Sequence, residues 1–273
     1  SWYHDNHKAL PFFLLSLSFR LLDILNLIDQ KEYHITYKYI LFELDGTISA
    51  SGPGIIKAMQ YGLTAAGINE TDPATLKSFI GPPLNVQIQK IYGLSEKDTL
   101  AVIMKFREQY DNKGIFDSAP YEGINELLSA LKQRNMITAV ASSKPWPLVH
   151  KILKDFSFTS YLVVIVGSNP SDEMKNKADF DQKTRIIKKT FIKLKEIGMT
   201  HALDETFLYS TIMFGDKNYD NFGPKANEIT SAGAAWRYGS LDEIADAGAA
   251  FIFKTPHELQ DFLLTWKTAM HNI

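Results

Sequence analysis

The sequence contains no cysteine. That excludes disulfides, thiolate-held metals and a cysteine nucleophile, and it removes redox chemistry as a guide to compartment. A dominant charge is lacking too: 29 Lys and Arg stand against 31 Asp and Glu, for a net charge of −2. The chain as a whole therefore has no electrostatic pull on nucleic acid or an anionic membrane. Its seven histidines show no metal-ligand spacing, and no internal repeat or low-complexity tract is present. An uninterrupted apolar run of spanning length is absent as well. Ala9–Ile28 is rich in Leu, Phe and Ile, but Ser16, Ser18, Arg20, Asp23 and Asn26 break it, whereas a spanning helix needs about 20 mainly apolar residues. No small-residue cleavage site of a signal peptide follows Ala9–Phe19. A cytoplasmic or organelle-matrix protein without a transmembrane segment is expected.

What is present is an ordinary globular balance, 45% hydrophobic and 22% charged over 273 residues, enough for one large domain or a core with a smaller module. Leu14, Leu17, Leu21, Leu25 and Ile28 recur at helical spacing. They predict an amphipathic helix in an N-terminal extension (1–36), docked on the protein's own core or on a protein partner, with membrane contact as the alternative. Tyr39-Ile40-Leu41-Phe42 is a continuous apolar run that stops at Asp45-Gly46-Thr47, the signature of a buried parallel strand entering a turn. From about Ser51 to Pro120 only helical patterns occur: Ile55–Ala66, Pro73–Ile80, Leu84–Tyr92 and Glu96–Tyr110. A β/α rhythm then returns. Helix Gly123–Arg134, strand Met136–Ala141, helix Pro147–Asp155, strand Leu162–Val166, helix Lys183–Ile197 and strand Thr211–Phe214 follow in turn. A further α/β unit, strand Ala249–Phe253 and helix Pro256–Trp266 complete it. The expected fold is α/β, a doubly wound parallel sheet (37–50 and 120–273) with a helical insertion (51–119).

In such sheets the site lies at the carboxyl ends of the strands, which singles out Glu43 and Asp45, Ser142, and Asp216. Glu43 and Asp45 place two carboxylates two residues apart at a strand end, and Asp216 with Asp220 adds a second acidic strand end. Carboxylates converging from two strands suit Mg²⁺, which takes few protein oxygens and leaves room for water and phosphate. Ser142 offers a hydroxyl and nearby N–H groups at a helix start, where an anion is favoured. A lysine is then wanted against phosphate charge; Lys183 opens a helix, and Lys144 and Lys177 compete. The basic stretch Lys175–Lys195 carries an apolar stripe of Ile187, Phe191 and Leu194, so its lysines read as a solvated face and no nucleic-acid partner is expected.

These residues resemble a family. Leu41-Phe42-Glu43-Leu44-Asp45-Gly46-Thr47, Ile80-Gly81-Pro82-Pro83-Leu84, Val140-Ala141-Ser142-Ser143-Lys144-Pro145 and Gly215-Asp216 through Asp220 occur in the order found in haloacid-dehalogenase-like hydrolases. Within them the chain is most similar to the phosphoglycolate-phosphatase-like group with a helical cap. The resemblance implies a Mg²⁺-dependent phosphatase acting on a small phosphorylated metabolite. Position 43 would be nucleophile and metal ligand, and Asp45 general acid/base with its carbonyl on the metal. Ser142 would hold phosphoryl oxygens, Lys183 would balance charge, and Asp216 would bind Mg²⁺ with Asp220 supporting. Gly46, Thr47 and Ser143 would line the substrate, as would Gly81 and Pro82 from the cap.

The pattern breaks at position 43, where the resemblance implies aspartate and the chain has glutamate. One extra methylene displaces the carboxylate by roughly 1 Å, and misplacement of that order costs about 10²-fold in rate. Ala50, Pro224, Glu228 and Arg237 also depart, and residues 197–211 form a longer connection than the pattern has. Two readings follow: a phosphatase, impaired or adjusted to glutamate, and an inactive chain serving as a structural or interaction subunit.

Overall fold

The computed structural model describes residues 36–172, 181–217, 219–236 and 241–265. The predicted extension helix, Lys177 and Arg237 lie outside the described residues. In chain order the elements are β1 (Tyr39–Phe42), α1 (Gly52–Ala65), α2 (Pro73–Lys77), α3 (Leu84–Tyr92), α4 (Glu96–Asn112) and α5 (Ile124–Gln133). Then come β2 (Ile137–Pro145), α6 (Trp146–Asp155), β3 (Val164–Ser168), α7 (Gln182–Glu196), α8 (Glu205–Tyr209) and β4 (Thr211–Gly215). The chain continues through α9 (Tyr219–Ala226), β5 (Thr230–Ala234), α10 (Leu241–Asp246), β6 (Phe251–Phe253) and α11 (Pro256–Thr265).

The six strands form one parallel sheet in the order β3-β2-β1-β4-β5-β6. β1 is central and buried on both faces, as its unbroken apolar run requires of a parallel strand. Successive side chains of a strand point to opposite faces. Accordingly Ile40 and Phe42 join Ile212 and Phe214 in one core, while Tyr39 and Leu41 join Met213 and residues of α7 in the other. Each such fully buried side chain contributes roughly 1.5–3 kcal/mol. The chain winds from β1 outward through β2 and β3, then returns to the opposite side of β1 as β4. That reversal opens a crevice at the carboxyl ends of β1 and β4.

The helical segment from α1 to α4 leaves after β1. Met59 and Leu63 of α1 and Val102, Ile103 and Phe106 of α4 bury into the same cluster as Ile40 and Phe42. Side-chain caps mark two of its four helix starts: Asp72 accepts from the Thr75 N–H, and Ser95 from the Asp98 N–H.

The strand and helix order agrees with expectation except for one additional short helix, and the clearest boundary difference is in β2. β2 runs on to Pro145, past the expected end at Ala141, with a register shift against β3 between those residues. Apolar patterning stops at Ser142 because the polar residues of the site begin there, while the backbone stays extended. The long connection after α7 holds the short helix α8, started by Asp204, whose carboxylate accepts from the Phe207 N–H.

Candidate active site

The Glu43 N–H donates to the Phe214 carbonyl at 2.8 Å, so the β1–β4 ladder extends one residue past β1. Pleating then sends the Glu43 side chain to the face of Leu41, where α7 packs. Lys183 lies on α7 three and four residues before Ile186 and Ile187, which are buried against that same face, so its stem follows their stripe.

The two meet. The Lys183 ammonium forms an ion pair with Glu43 Oε2 and a second, at 2.8 Å, with Asp220 Oδ1. Ser142 Oγ donates to Glu43 Oε1 at 2.5 Å, and the Ser143 N–H donates to Oε2 at 3.3 Å. Glu43, Ser142, Lys183 and Asp220 are all buried. A hydroxyl, a backbone N–H and an ammonium converging on one point form a cradle for an oxyanion, and the longer side chain of Glu43 reaches into it. The cradle N–H belongs to the continued strand β2. It does not come from a helix start, since α6 begins only at Trp146.

Asp45 faces the other way. Its Oδ2 pairs with the Lys144 ammonium at 2.7 Å, and that ammonium sits 4.7 Å above the ring centre of Tyr110 on α4. Burial would lower the Lys144 pKa, but the charges of Asp45 and Tyr110 outweigh it and hold it above the usual lysine value. Two lysines thus divide the two acids, Lys183 with Glu43 and Lys144 with Asp45.

Asp216 follows β4 and is almost fully buried. Burial first, then the charge of Asp220, push its carboxyl well above the ordinary carboxylate range, with Lys217 opposing. Gly46 packs directly on it: at φ +79° a Cβ there would lie 2.2 Å from Asp216 Cγ, so the turn needs glycine on both conformational and steric grounds. Asp216 Oδ2 and Asp45 Oδ1 are buried without a hydrogen-bond partner among the described residues. An unpartnered buried carboxylate oxygen is costly unless a cation or proton meets it. No cluster of three or more metal-binding side chains occurs among the described residues. Mg²⁺ needs only one or two carboxylates with carbonyls and waters, and Asp216 beside the Asp45 backbone fits that. Both Asp220 oxygens are engaged, by Lys183 and by the Lys217 N–H at 3.2 Å, so Asp220 braces the lysine.

Gly81 and Pro82 line a small cleft together with Asp45, Lys144, Arg107 and Tyr110, walled by Ile55, Phe79, Leu84 and Phe106. Gly81, at φ +106°, brings its turn against the Lys217 side chain, where a Cβ would lie 3.1 Å from Cγ. Thr47 is not brought to this cleft. It is fully buried, and its carbonyl accepts from the Trp236 indole at 3.1 Å. Sequence reasoning missed Arg107 and Tyr110. They sit three apart on α4, and only the pairing of Phe106 with Tyr110 at i,i+4 marked that face as turned inward.

Residues 40–234 match the family model of haloacid dehalogenase-like hydrolases. The chain is 32% identical over 212 residues to a 5'-nucleotidase of Pseudomonas aeruginosa, covering 77% of this chain and 88% of that one. A crystal structure described as a predicted phosphatase from Clostridium acetobutylicum superposes with a TM-score of 0.72 at 32% identity, over 84% of this chain and 99% of that one. Protein tyrosine kinase A of Mycobacterium tuberculosis shares the fold at a TM-score of 0.68 and 24% identity, over 84% and 99% of the two chains.

Proposed function

The chain belongs to the haloacid dehalogenase-like hydrolases, and from that premise we propose that it is a Mg²⁺-dependent phosphatase of small phosphate monoesters, slowed by the glutamate at its nucleophile position. The observation that carries this reading is the convergence of Ser142, the Ser143 N–H and Lys183 on one carboxylate, with the unpartnered Asp216 oxygen at the neighbouring strand end. Asp216, the Asp45 carbonyl and Glu43 would hold Mg²⁺, which supplies positive charge against the phosphoryl oxygens. Residues 51–119 serve as the cap over a core of 37–50 and 120–273.

In the proposed reaction a Glu43 oxygen attacks phosphorus and the bond to the leaving oxygen breaks. Asp45 gives that oxygen a proton and becomes the base that later takes one from water, which cleaves the acyl phosphate and restores Glu43. Lys183 balances the phosphoryl charge and Asp220 holds Lys183. Substrate must first displace the Glu43 carboxylate from the cradle, and Asp45 must leave Lys144.

A second reading, an inactive chain kept as a binding subunit, draws on the same contact, because a cradle filled by its own side chain is closed to phosphate. Wild-type hydrolysis of p-nitrophenyl phosphate with Mg²⁺, abolished by Asp45→Asn, tests between them. Absence of Mg²⁺-dependent turnover favours the subunit.

A further inference from the structure

The two faces of α7 carry different chemistry. Ile186, Ile187, Phe191 and Leu194 form its inner stripe, buried against the sheet. Its outer face is left with Lys188, Lys189, Lys193 and Lys195, all exposed, and none of the four pairs with an acid among the described residues. Glu196 is the one acid within the helix, so the face is cationic although the whole chain carries a net charge of −2. Ile192 stands in the middle of these lysines, next to Lys193 and three or four residues from Lys188, Lys189 and Lys195, which makes them its neighbours on the helix surface. It is 52% exposed, and Ile197 and Met199 just past the helix end are 49% and 37% exposed. A single exposed isoleucine is ordinary. One ringed by four unpaired ammonium groups and continued by two further exposed apolar side chains is a mixed surface, cationic and apolar at once.

We propose that the outer face of α7 is a peripheral docking surface for an anionic lipid bilayer. Lys188, Lys189, Lys193 and Lys195 meet the headgroups, and Ile192 and Ile197 enter the interface between them. Lysine stems lie along apolar surface while their ammonium groups stay in water, so cations and isoleucines can serve one contact. The four lysines span roughly 10 Å of helix axis, about one Debye length at 0.1 M salt, and therefore act on a charged surface together. Protein interfaces are depleted in lysine and enriched in aromatic residues and arginine, the reverse of this face. Nucleic acid would answer the lysines but not the isoleucines, and no aromatic side chain lies among them to stack on a base. Among the described residues no helix is long and apolar enough to cross a membrane, so the contact is with the surface alone. The apolar walls of the cleft near Asp45 belong to the other core, so docking through α7 leaves that cleft open.

The test is sedimentation of the full chain with vesicles of phosphatidylcholine alone and of phosphatidylcholine containing about 30% phosphatidylserine. At about 0.1 M salt the anionic vesicles should bind at least tenfold more tightly, and that preference should fall below twofold at about 0.5 M, where screening is shorter-ranged. Each lysine near an anionic bilayer tightens binding about fivefold, so Lys189→Gln with Lys193→Gln should weaken it roughly thirtyfold. Ile192→Gln should weaken it about threefold without changing the salt dependence, because it removes apolar contact and no charge. All three positions are exposed, and both variants should melt as wild type does. Equal binding to the two kinds of vesicle overturns the proposal. So does full-strength binding by the lysine variant, which would place the membrane contact elsewhere in the chain. Absence of binding to either vesicle also overturns it, and lysine-dependent retention on heparin would then assign the face to a polyanion in solution.

Discussion

Glu43→Asp shortens one side chain by a methylene, and the consequences follow from the contacts it gives up. The glutamate carboxylate accepts from Ser142 at 2.5 Å and from the Ser143 N–H at 3.3 Å, and it pairs with Lys183. An aspartate carboxylate withdraws by roughly 1 Å, opening the cradle while Lys183 keeps Asp220 at 2.8 Å. Charge-assisted hydrogen bonds are worth about 1.5–3 kcal/mol each, so the variant should melt below wild type in phosphate-free buffer. Orthophosphate at a hundred times its Kd should return about 2.7 kcal/mol to the variant, and much less to wild type, whose cradle is filled. With the cradle open and the oxygen able to reach in-line attack distance, about 3–3.5 Å, kcat/KM for p-nitrophenyl phosphate with Mg²⁺ should rise at least about tenfold, or roughly 1.4 kcal/mol of barrier. The steady-state rate and a thermal melt with and without phosphate are the two assays. Wild-type turnover that is Asp45-dependent and equal to or faster than the variant's would refute the reasoning, because the site would then be adjusted to glutamate.

Mg²⁺ should raise the melting temperature of wild type. Asp216→Asn should lose that response yet melt higher than wild type in EDTA, since it removes a buried acid held against the charge of Asp220; unchanged Mg²⁺ response would contradict the metal assignment. Lys183→Met leaves two buried carboxylates unpaired and should cost about 3–5 kcal/mol, read as a lower urea midpoint at constant slope, whereas a loss below about 1 kcal/mol would mean the pair is solvated. Removing residues 1–36, whose leucine stripe would face water if left alone, should lower solubility or release a bound protein on size exclusion; unchanged solubility and assembly size argue against docking.

The sheet was legible because its strands are written in apolar runs ending in acids or small polar residues, and burial on both faces leaves a strand such as Tyr39–Phe42 little other choice. The same logic hid the end of β2. Ser142, Ser143 and Lys144 continue the strand while carrying no hydrophobic pattern, so periodicity ended the strand three residues before the chemistry did. The acids were found from their position at strand ends, and Ser142, Lys183 and Lys144 were named beside them, but the lysines were not assigned to particular carboxylates. Which lysine meets which carboxylate depends on pleat direction past β1 and on the packing of α7, and Lys183 and Lys144 look equivalent in one dimension. Arg107 and Tyr110 were invisible for a related reason. They lie more than 60 residues from Asp45 in sequence, on a helix whose inward face is otherwise an ordinary apolar stripe.

The methylene at position 43 bears on charge balance as well as on reach. In the buried triad Lys183 stands between Glu43 and Asp220, one cation against two carboxylates, and the Ser142 hydroxyl and Ser143 N–H offset part of the excess negative charge. A phosphate entering beside an ionised carboxylate at position 43 would add further negative charge to that group, which a buried site tolerates only with another cation. Mg²⁺ held by Asp216, as proposed, would supply one, so binding of phosphate and of Mg²⁺ should be mutually reinforcing. Glutamate changes the order of events. With its carboxylate already in the cradle, the resting site has its anion and gains less from the metal than an aspartate variant binding free phosphate would. The Mg²⁺-induced rise in melting temperature should therefore be larger for Glu43→Asp with orthophosphate present than for wild type under the same conditions. Equal rises would mean that the cradle and the metal site do not share their charge.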